Sequence, residues 1–378
     1  KEAYDEHGAH WRHWNQGKNY VENGFVAGML YNLAVPAMTK PPGYSEAAMQ
    51  EIVERYSTVA ERVNATRDPD ALDDVNVVFV LSESFSDPTL SHSVRLAEDP
   101  IPFTRSLMQR TTSGKMLTRS YGGGTANVEF EALTGMSLKQ FEPQLHTPYQ
   151  MLVPNYPHFP SAASYLRGQG LGTRAIHSFT SALYRRAEVY PTLGFEDAVF
   201  EDEMAHTETL EKSSYISDAA TFDETMSTLE DTDEPLFVNV VTMQNHYPSA
   251  GKYAHPIPAG PRDEAIEADI LSDPRAMAEL EQYARGLRYS DEALQRFITE
   301  LEASDEKTIV VFYGDHLPAL RPSFSSGVRP KHETPFFVYA NYGHRRAEHL
   351  PTTSPIHFMN HVLETAGAPV PPYYALLG

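Results

Sequence analysis

From residue 75 onward the chain alternates two kinds of pattern. Short runs are apolar at almost every position: Val75–Leu81 (VNVVFVL), Leu236–Thr242 (LFVNVVT), Thr308–Tyr313 (TIVVFY) and Pro335–Ala340 (PFFVYA), with Gly172–His177 as a weaker run. They are rich in β-branched and aromatic residues, and they have the length of strands. Strands apolar on both sides fit a sheet covered on both faces. Between them, apolar residues recur at helical spacing over Asn127–Leu133, Ala162–Arg167, Ser217–Glu230, Arg275–Ala303 and Pro355–Thr365. This alternation predicts an α/β fold with a mostly parallel central sheet and helices on both faces. In such sheets the chemistry gathers beyond the carboxyl ends of the strands.

The first 70 residues follow another pattern. Tyr4–Tyr20 mixes Trp11, Trp14, histidines and charges without a period, and Asn23-Gly24 and Pro36–Gly43 are turn and loop signals. Ser45–Val63 predicts a helix capped by Ser45, with Met49, Ile52, Val53, Tyr56 and Val59 at helical spacing. The small apolar content makes 1–70 an expected arm or linker, leading into one domain over 71–378.

Composition narrows the function. The chain has 378 residues, with Lys plus Arg at 30, Asp plus Glu at 51 and a net charge of −21. This argues against nucleic acid or anionic lipid binding over the surface at large, because phosphate contacts need clustered basic side chains. With no cysteine, disulfides, thiolate metal sites, cysteine nucleophiles and a cysteine-derived formylglycine are all excluded. No stretch approaches the roughly 18 consecutive apolar residues of a membrane span. The chain opens at Lys1 without a signal peptide and reads as a portion of a longer gene product.

The predicted strand ends carry the candidate chemistry. Glu83 follows the first run, inside Ser82-Glu83-Ser84. Asp315 and His316 follow Thr308–Tyr313 after Gly314, and together can offer oxygen and nitrogen ligands to one divalent ion. His177 ends the weak run, with Tyr184, Arg185 and Arg186 soon after; Asn245-His246 follows Leu236–Thr242. Three glycines precede Thr125 and a helical pattern follows it, so its hydroxyl is expected near a helix N-terminus, where anions are favoured. Singly, each feature has an ordinary reading. Glu83 fits a cap, Asp315-His316 a turn, Thr125 an N-cap with Glu129 as capping partner, and Arg185-Arg186 a solvated pair. A Lys-Ser/Thr phosphate loop is not matched. Together, acidic and histidine residues at neighbouring strand ends, a hydroxyl and an arginine pair describe metal-assisted attack on a phosphate or sulfate ester.

This set resembles the alkaline phosphatase/sulfatase superfamily, and closely the extracellular domain of lipoteichoic acid synthases. The motifs are Asn76–Phe85, Gly122–Phe130, His177 through Arg186, Asn245-His246, Tyr313–His316 and Thr334–Ala340; Asn23–Phe25, Leu30–Leu33 and Lys40–Ser45 look like the family's link from membrane helices to enzyme. The resemblance implies that superfamily's fold, with a smaller C-terminal α+β portion. It implies Glu83, Thr125, Asp315 and His316 as ligands of one Mn²⁺ or Mg²⁺ per chain, with Thr125 also the nucleophile. It assigns Arg186 and His246 to the glycerol phosphate head group, with His177 near them and Tyr184 where the family can carry Trp. Arg186 is expected to make two parallel bonds to a phosphate.

The implied activity is a phosphoglycerol transferase at the extracellular face of the bacterial membrane, tethered in the full-length protein. It would take glycerol phosphate from phosphatidylglycerol through a covalent threonine and extend a poly(glycerol phosphate) chain. A primase, a transferase decorating periplasmic glucans or a phosphodiesterase would share the same motifs, because acceptor choice lies in loops. A catalytically silent binder of glycerophosphate polymers is disfavoured by the complete set of Glu83, Thr125, Asp315 and His316. A sulfatase activity is disfavoured because Thr stands where cysteine is needed. A two-zinc site would need further ligands; His357 and His361, spaced i, i+4, read as packing residues.

Overall fold

The computed structural model describes residues 16–31, 36–91, 94–118, 122–262, 273–320, 332–343 and 347–378. The Trp-containing segment up to residue 15, residues 32–35 and Arg119–Tyr121 fall outside them. In chain order the strands are β1 (Val75–Ser82), β2 (Val94–Leu96), β3 (Thr112–Leu117), β4 (Gly172–His177), β5 (Asp197–Phe200), β6 (Leu236–Val241), β7 (Ala259–Pro261), β8 (Lys307–Gly314), β9 (Glu333–Ala340) and β10 (His349–Thr353). A central sheet holds 8 of these in the order β10-β3-β9-β8-β1-β6-β4-β5, and β2 pairs with β7 apart from it. All neighbours in the sheet run parallel except at β9, which is antiparallel to both β8 and β3. The mostly parallel sheet is therefore borne out. The C-terminal α+β portion comprises β9, β10 and two short helices, Phe358–Ala366 and Pro372–Leu377, and its strands join this sheet.

Strand pleating explains the doubly apolar runs. In β1, Val77, Phe79 and Leu81 face one core and Val78 and Val80 the other. Helices Thr125–Thr134, Ala162–Gly168 and Phe358–Ala366 cover the first face through residues such as Phe130, Leu166 and Met359. The long helix Pro274–Ala303 and helix Asp218–Glu230 cover the second, where Phe222 stacks on Phe297 at 4.8 Å between centroids. Burial of this kind is worth roughly 1.5–3 kcal/mol per large apolar side chain. One position in β6 breaks the pattern: Asn239 lies on the first face between Phe237 and Val241 and is fully buried.

Some elements carry little pattern. β5 has only 4 residues, β10 is HLPTT, and both are edge strands bonded on one side. Such strands need less apolar sequence, and neither was legible. The helix over Glu46–Asn64 forms as read, with the Ser45 hydroxyl accepting from the Ala48 amide at 3.1 Å. A further helix, Gln16–Tyr31, is broken at Gly24 (φ 81°), so the Asn23-Gly24 turn signal marks a kink. No helix of the described residues is long and apolar enough to cross a membrane.

Candidate active site at the carboxyl ends of four strands

The four central strands β8, β1, β6 and β4 are neighbours, so the residues that follow them meet at one edge. The β1–β8 register sets Ser82 opposite Gly314, which puts Glu83 beside Asp315 and His316. Gly314 is required there, since a Cβ would stand 1.8 Å from the Phe85 carbonyl oxygen. Gly124 (φ 90°) caps helix Thr125–Thr134, so Thr125 is its first residue. A cavity of about 170 Å³ opens there, walled by Glu83, Thr125, His177, Tyr184, Arg186, His246 and His316, among others. The site residues read from sequence thus converge on one space, with Asp315 fully buried beside it.

The donor geometry suits a divalent cation. Ligand atoms of Glu83, Asp315 and His316 lie within 4.8 Å of one another. Asp315 Oδ1 accepts the backbone N–H of Ser84 at 2.7 Å and of His316 at 2.8 Å. Its Oδ2 is buried, has no hydrogen-bond partner and lies 3.2 Å from His316 Nε2. The Leu317 carbonyl, 3.0 Å from His316 Nδ1, fixes the tautomer in which Nε2 carries the lone pair. Among the described residues Nε2 accepts the Gly123 amide at 2.9 Å, a bond that a cation at this position would replace. The Thr125 hydroxyl donates to Glu83 Oε2 at 3.3 Å, and Ser84 Oγ donates to Oε1 at 2.8 Å.

Electrostatics agree. Burial, then the Glu83 charge, push Asp315 up to about 7. Burial pulls on His316 in the opposite sense, but Asp315 and Glu83 outweigh it and the net shift is upward. Two close carboxylates with an orphaned oxygen are the environment a bound cation relieves. The chemistry of this donor set, mainly oxygen with one imidazole, fits Mn²⁺ or Mg²⁺.

Arg186 departs from expectation. It is fully buried, and its Nε and Nη2 donate to Glu129 Oε2 at 3.2 and 2.8 Å. Its Nη1 donates to the Leu183 carbonyl at 3.3 Å and to His177 Nε2 at 3.2 Å. All but one of its N–H groups are therefore taken, and two parallel bonds to a phosphate are not available in this geometry. Arg185 points elsewhere, into an exposed pair with Glu188, so the two arginines do not act together. Glu129 is not a capping partner, since Gly124 is the N-cap. Burial first, then the neighbouring Arg186 charge, keep His177 far below the usual histidine range and neutral.

His246 Nδ1 lies 2.8 Å from the Tyr247 carbonyl and 3.0 Å from the Tyr215 hydroxyl. Beneath it, the buried Lys252 ammonium donates to the carbonyls of Gln244 and His246 at 2.9 and 2.7 Å, and burial pulls it down to about 8. Tyr184 and Arg185 both take left-handed backbone (φ 58° and 62°), which turns the Tyr184 ring to 5.4 Å from the Arg186 guanidinium. Glu129, Tyr190, Tyr215 and Lys252 were missed by sequence reasoning. Asn239, a polar residue amid a buried run, was the available signal for Glu129. His361 stacks on Phe336 and burial pulls it down to about 4, as fits a packing residue.

Comparison with known proteins agrees with this geometry. The sulfatase family model matches residues 75–368. A Rhizobium meliloti (strain 1021) protein, named for cyclic beta-1,2-glucan modification, is 32% identical over 97% of this chain. The chain spans about half of that relative's length, 56%. The Streptococcus pyogenes phosphoglycerol transferase GacH, solved with sn-glycerol-1-phosphate, superposes with a TM-score of 0.81 at 30% identity, covering 90% of this chain and 87% of GacH. The Listeria monocytogenes lipoteichoic acid synthase LtaP shares the fold, with a TM-score of 0.62 at 19% identity over 84% of this chain and 81% of its own. The match runs from β1 past the helix Phe358–Ala366, and the chain belongs to the sulfatase family, within the alkaline phosphatase/sulfatase superfamily.

Proposed function

We propose that this chain is a metal-dependent phosphoglycerol transferase that takes glycerol phosphate from phosphatidylglycerol onto Thr125 and passes it to an acceptor hydroxyl. The observation that carries the reading is the shared cavity. The Thr125 hydroxyl stands at a helix N-terminus, beside the Glu83, Asp315 and His316 donor cluster and across from Arg186 and His246. The 30% identity with the phosphoglycerol transferase GacH over most of both chains supports transfer of phosphoglycerol.

Glu83, Asp315, His316 and Thr125 would hold the cation, which when bound would screen phosphate charge and lower the pKa of the Thr125 hydroxyl. Glu83 Oε2 orients that hydroxyl. Thr125 Oγ bonds to phosphorus while the bond from phosphorus to the diacylglycerol oxygen breaks. The proton lost by Thr125 balances the proton the departing diacylglycerol takes up. Arg186 offers its one free N–H to a phosphate oxygen. With Nδ1 of His246 turned to the Tyr247 carbonyl, Nε2 is left as acceptor for a glycerol hydroxyl. The acceptor hydroxyl then attacks the glycerophospho-threonine and frees Thr125.

The proposed acceptor is a growing poly(glycerol phosphate) chain, as in lipoteichoic acid synthesis, at the outer face of a bacterial membrane to which the longer protein is tethered. A second reading, transfer to a periplasmic glucan, is favoured by the 32% identity over nearly the whole chain with the Rhizobium protein. The test incubates purified protein with fluorescent phosphatidylglycerol and Mn²⁺, with and without chelator, and with either acceptor. Chelator-sensitive release of diacylglycerol is expected, restored better by Mn²⁺ than by Ca²⁺, which prefers more ligands at longer distances. Absence of release refutes the donor assignment. Glycerol phosphate found on the glucan and not in a polymer selects the second acceptor.

A further inference from the structure

Glu129 has no part in the chemistry above, yet this carboxylate, bonded to the cavity-lining Arg186, is heavily bonded itself. It is fully buried and accepts four hydrogen bonds: Arg186 Nε and Nη2 on Oε2, the Tyr190 hydroxyl at 2.7 Å and Asn239 Nδ2 at 3.1 Å on Oε1. These donors come from β6 and from the helix Arg186–Leu193, so three elements meet on one side chain. Glu129 also lies one turn after Thr125 on the same helix. Fold stability alone does not call for such a pair, because apolar side chains of similar volume commonly serve a core as well or better. Here one member, Arg186, lines the space in which Thr125 lies, and Glu129 holds it there through two hydrogen bonds.

We propose that Glu129 is a positioning residue: it locks the Arg186 guanidinium to the Thr125 helix and cancels its charge, so that the pocket holds a phosphate weakly before transfer. The inference rests on the reading of the cavity as a phosphoryl-transfer site. Its physical sense follows from differential binding. An unbalanced guanidinium would grip substrate and product phosphates as strongly as the transition state, which lowers KM without raising kcat. A balanced and fixed guanidinium gives up that affinity, and its remaining N–H keeps one direction relative to Thr125 Oγ. Neutralisation by Glu129 also leaves the attraction for the phosphate to the cation at Glu83, Asp315 and His316.

The test is Glu129→Gln in the metal-loaded protein, with inorganic phosphate titrated calorimetrically and diacylglycerol release measured on the same sample. Gln keeps the shape and removes the charge. Phosphate should bind about fivefold or more tightly, since a nearby negative charge is gone, while kcat falls about tenfold or more. A role confined to folding would lower stability without tightening phosphate. Unchanged or weakened phosphate affinity in folded variant overturns the proposal, as does failure of both proteins to bind phosphate. Where Glu129→Gln does not fold, Glu129→Asp decides. Its charge is kept and its reach shortened, so phosphate affinity should stay within about twofold while kcat falls; an unchanged kcat overturns the proposal. The phosphate arm does not depend on the lipid. A wild-type protein that binds phosphate but leaves phosphatidylglycerol intact refutes the proposed donor and leaves this inference readable.

Discussion

Thr125 has a structural place and a proposed catalytic role that removing its hydroxyl can separate. It is the first residue of its helix, and its hydroxyl donates to Glu83 at 3.3 Å. Losing that bond costs about 1 kcal/mol of stability, the usual net worth of one hydrogen bond. On the proposed mechanism, losing the hydroxyl also removes the nucleophile. Thr125→Ala is therefore expected to unfold within a few degrees of wild type while diacylglycerol release drops below detection. Thr125→Ser should retain part of the activity, because the hydroxyl remains. Substantial turnover by folded Thr125→Ala would remove Thr125 as nucleophile.

At the level of elements, the N-terminal helix and the C-terminal tail hold each other. Asn64, the last residue of helix Glu46–Asn64, donates to the Val370 carbonyl at 3.1 Å and accepts the Val370 amide at 2.7 Å. Arg67 pairs with Glu364 nearby, and the Asp68 amide donates to the Gly367 carbonyl. None of these residues lines the cavity. Asn64→Ala deletes both bonds, at about 1–2 kcal/mol together. Amide hydrogen exchange should quicken in helix Glu46–Asn64 and around Val370, while β1 and β8 keep their protection. Turnover should not change. Exchange quickened throughout the central sheet would show instead that the two termini hold up the whole fold.

These 378 residues carry −21, yet the proposed substrate sits in an anionic membrane. Its surface field opposes approach, and the Arg186 charge is spent on Glu129 inside the protein. Screening should therefore help. The Debye length falls from about 30 Å at 0.01 M salt to about 8 Å at 0.15 M. With the isolated chain on phosphatidylglycerol vesicles, turnover at sub-saturating lipid should rise severalfold over that range. Turnover in detergent micelles diluted with neutral surfactant should respond less. A fall in vesicle turnover with salt would reveal a basic surface that faces the membrane and outweighs the net charge.

Strand content and the candidate site residues were legible because both are local. Val75–Leu81 and Thr308–Tyr313 announce buried strands by composition, and Glu83, Asp315 and His316 declare themselves by standing directly after them. The Gly-rich approach to Thr125 likewise needs only its own neighbours to read as a loop opening a helix. The sulfatase-type resemblance added the roles. Partnership across the sheet was not legible. Glu129 and Arg186 are 57 residues apart, and Asn239 lies 110 residues from Glu129. Nothing in local periodicity distinguishes a buried Glu129 from one capping its own helix, or a buried Arg186 from its exposed neighbour Arg185. Those assignments depend on strand order, which sets β6 beside β4 and brings helix Thr125–Thr134 over Asn239. Chain chemistry singled out the residues proposed to attack a phosphate and hold a cation. Tertiary packing alone decided that the site's arginine is already paired, because a buried charge must be balanced by whatever the fold sets against it.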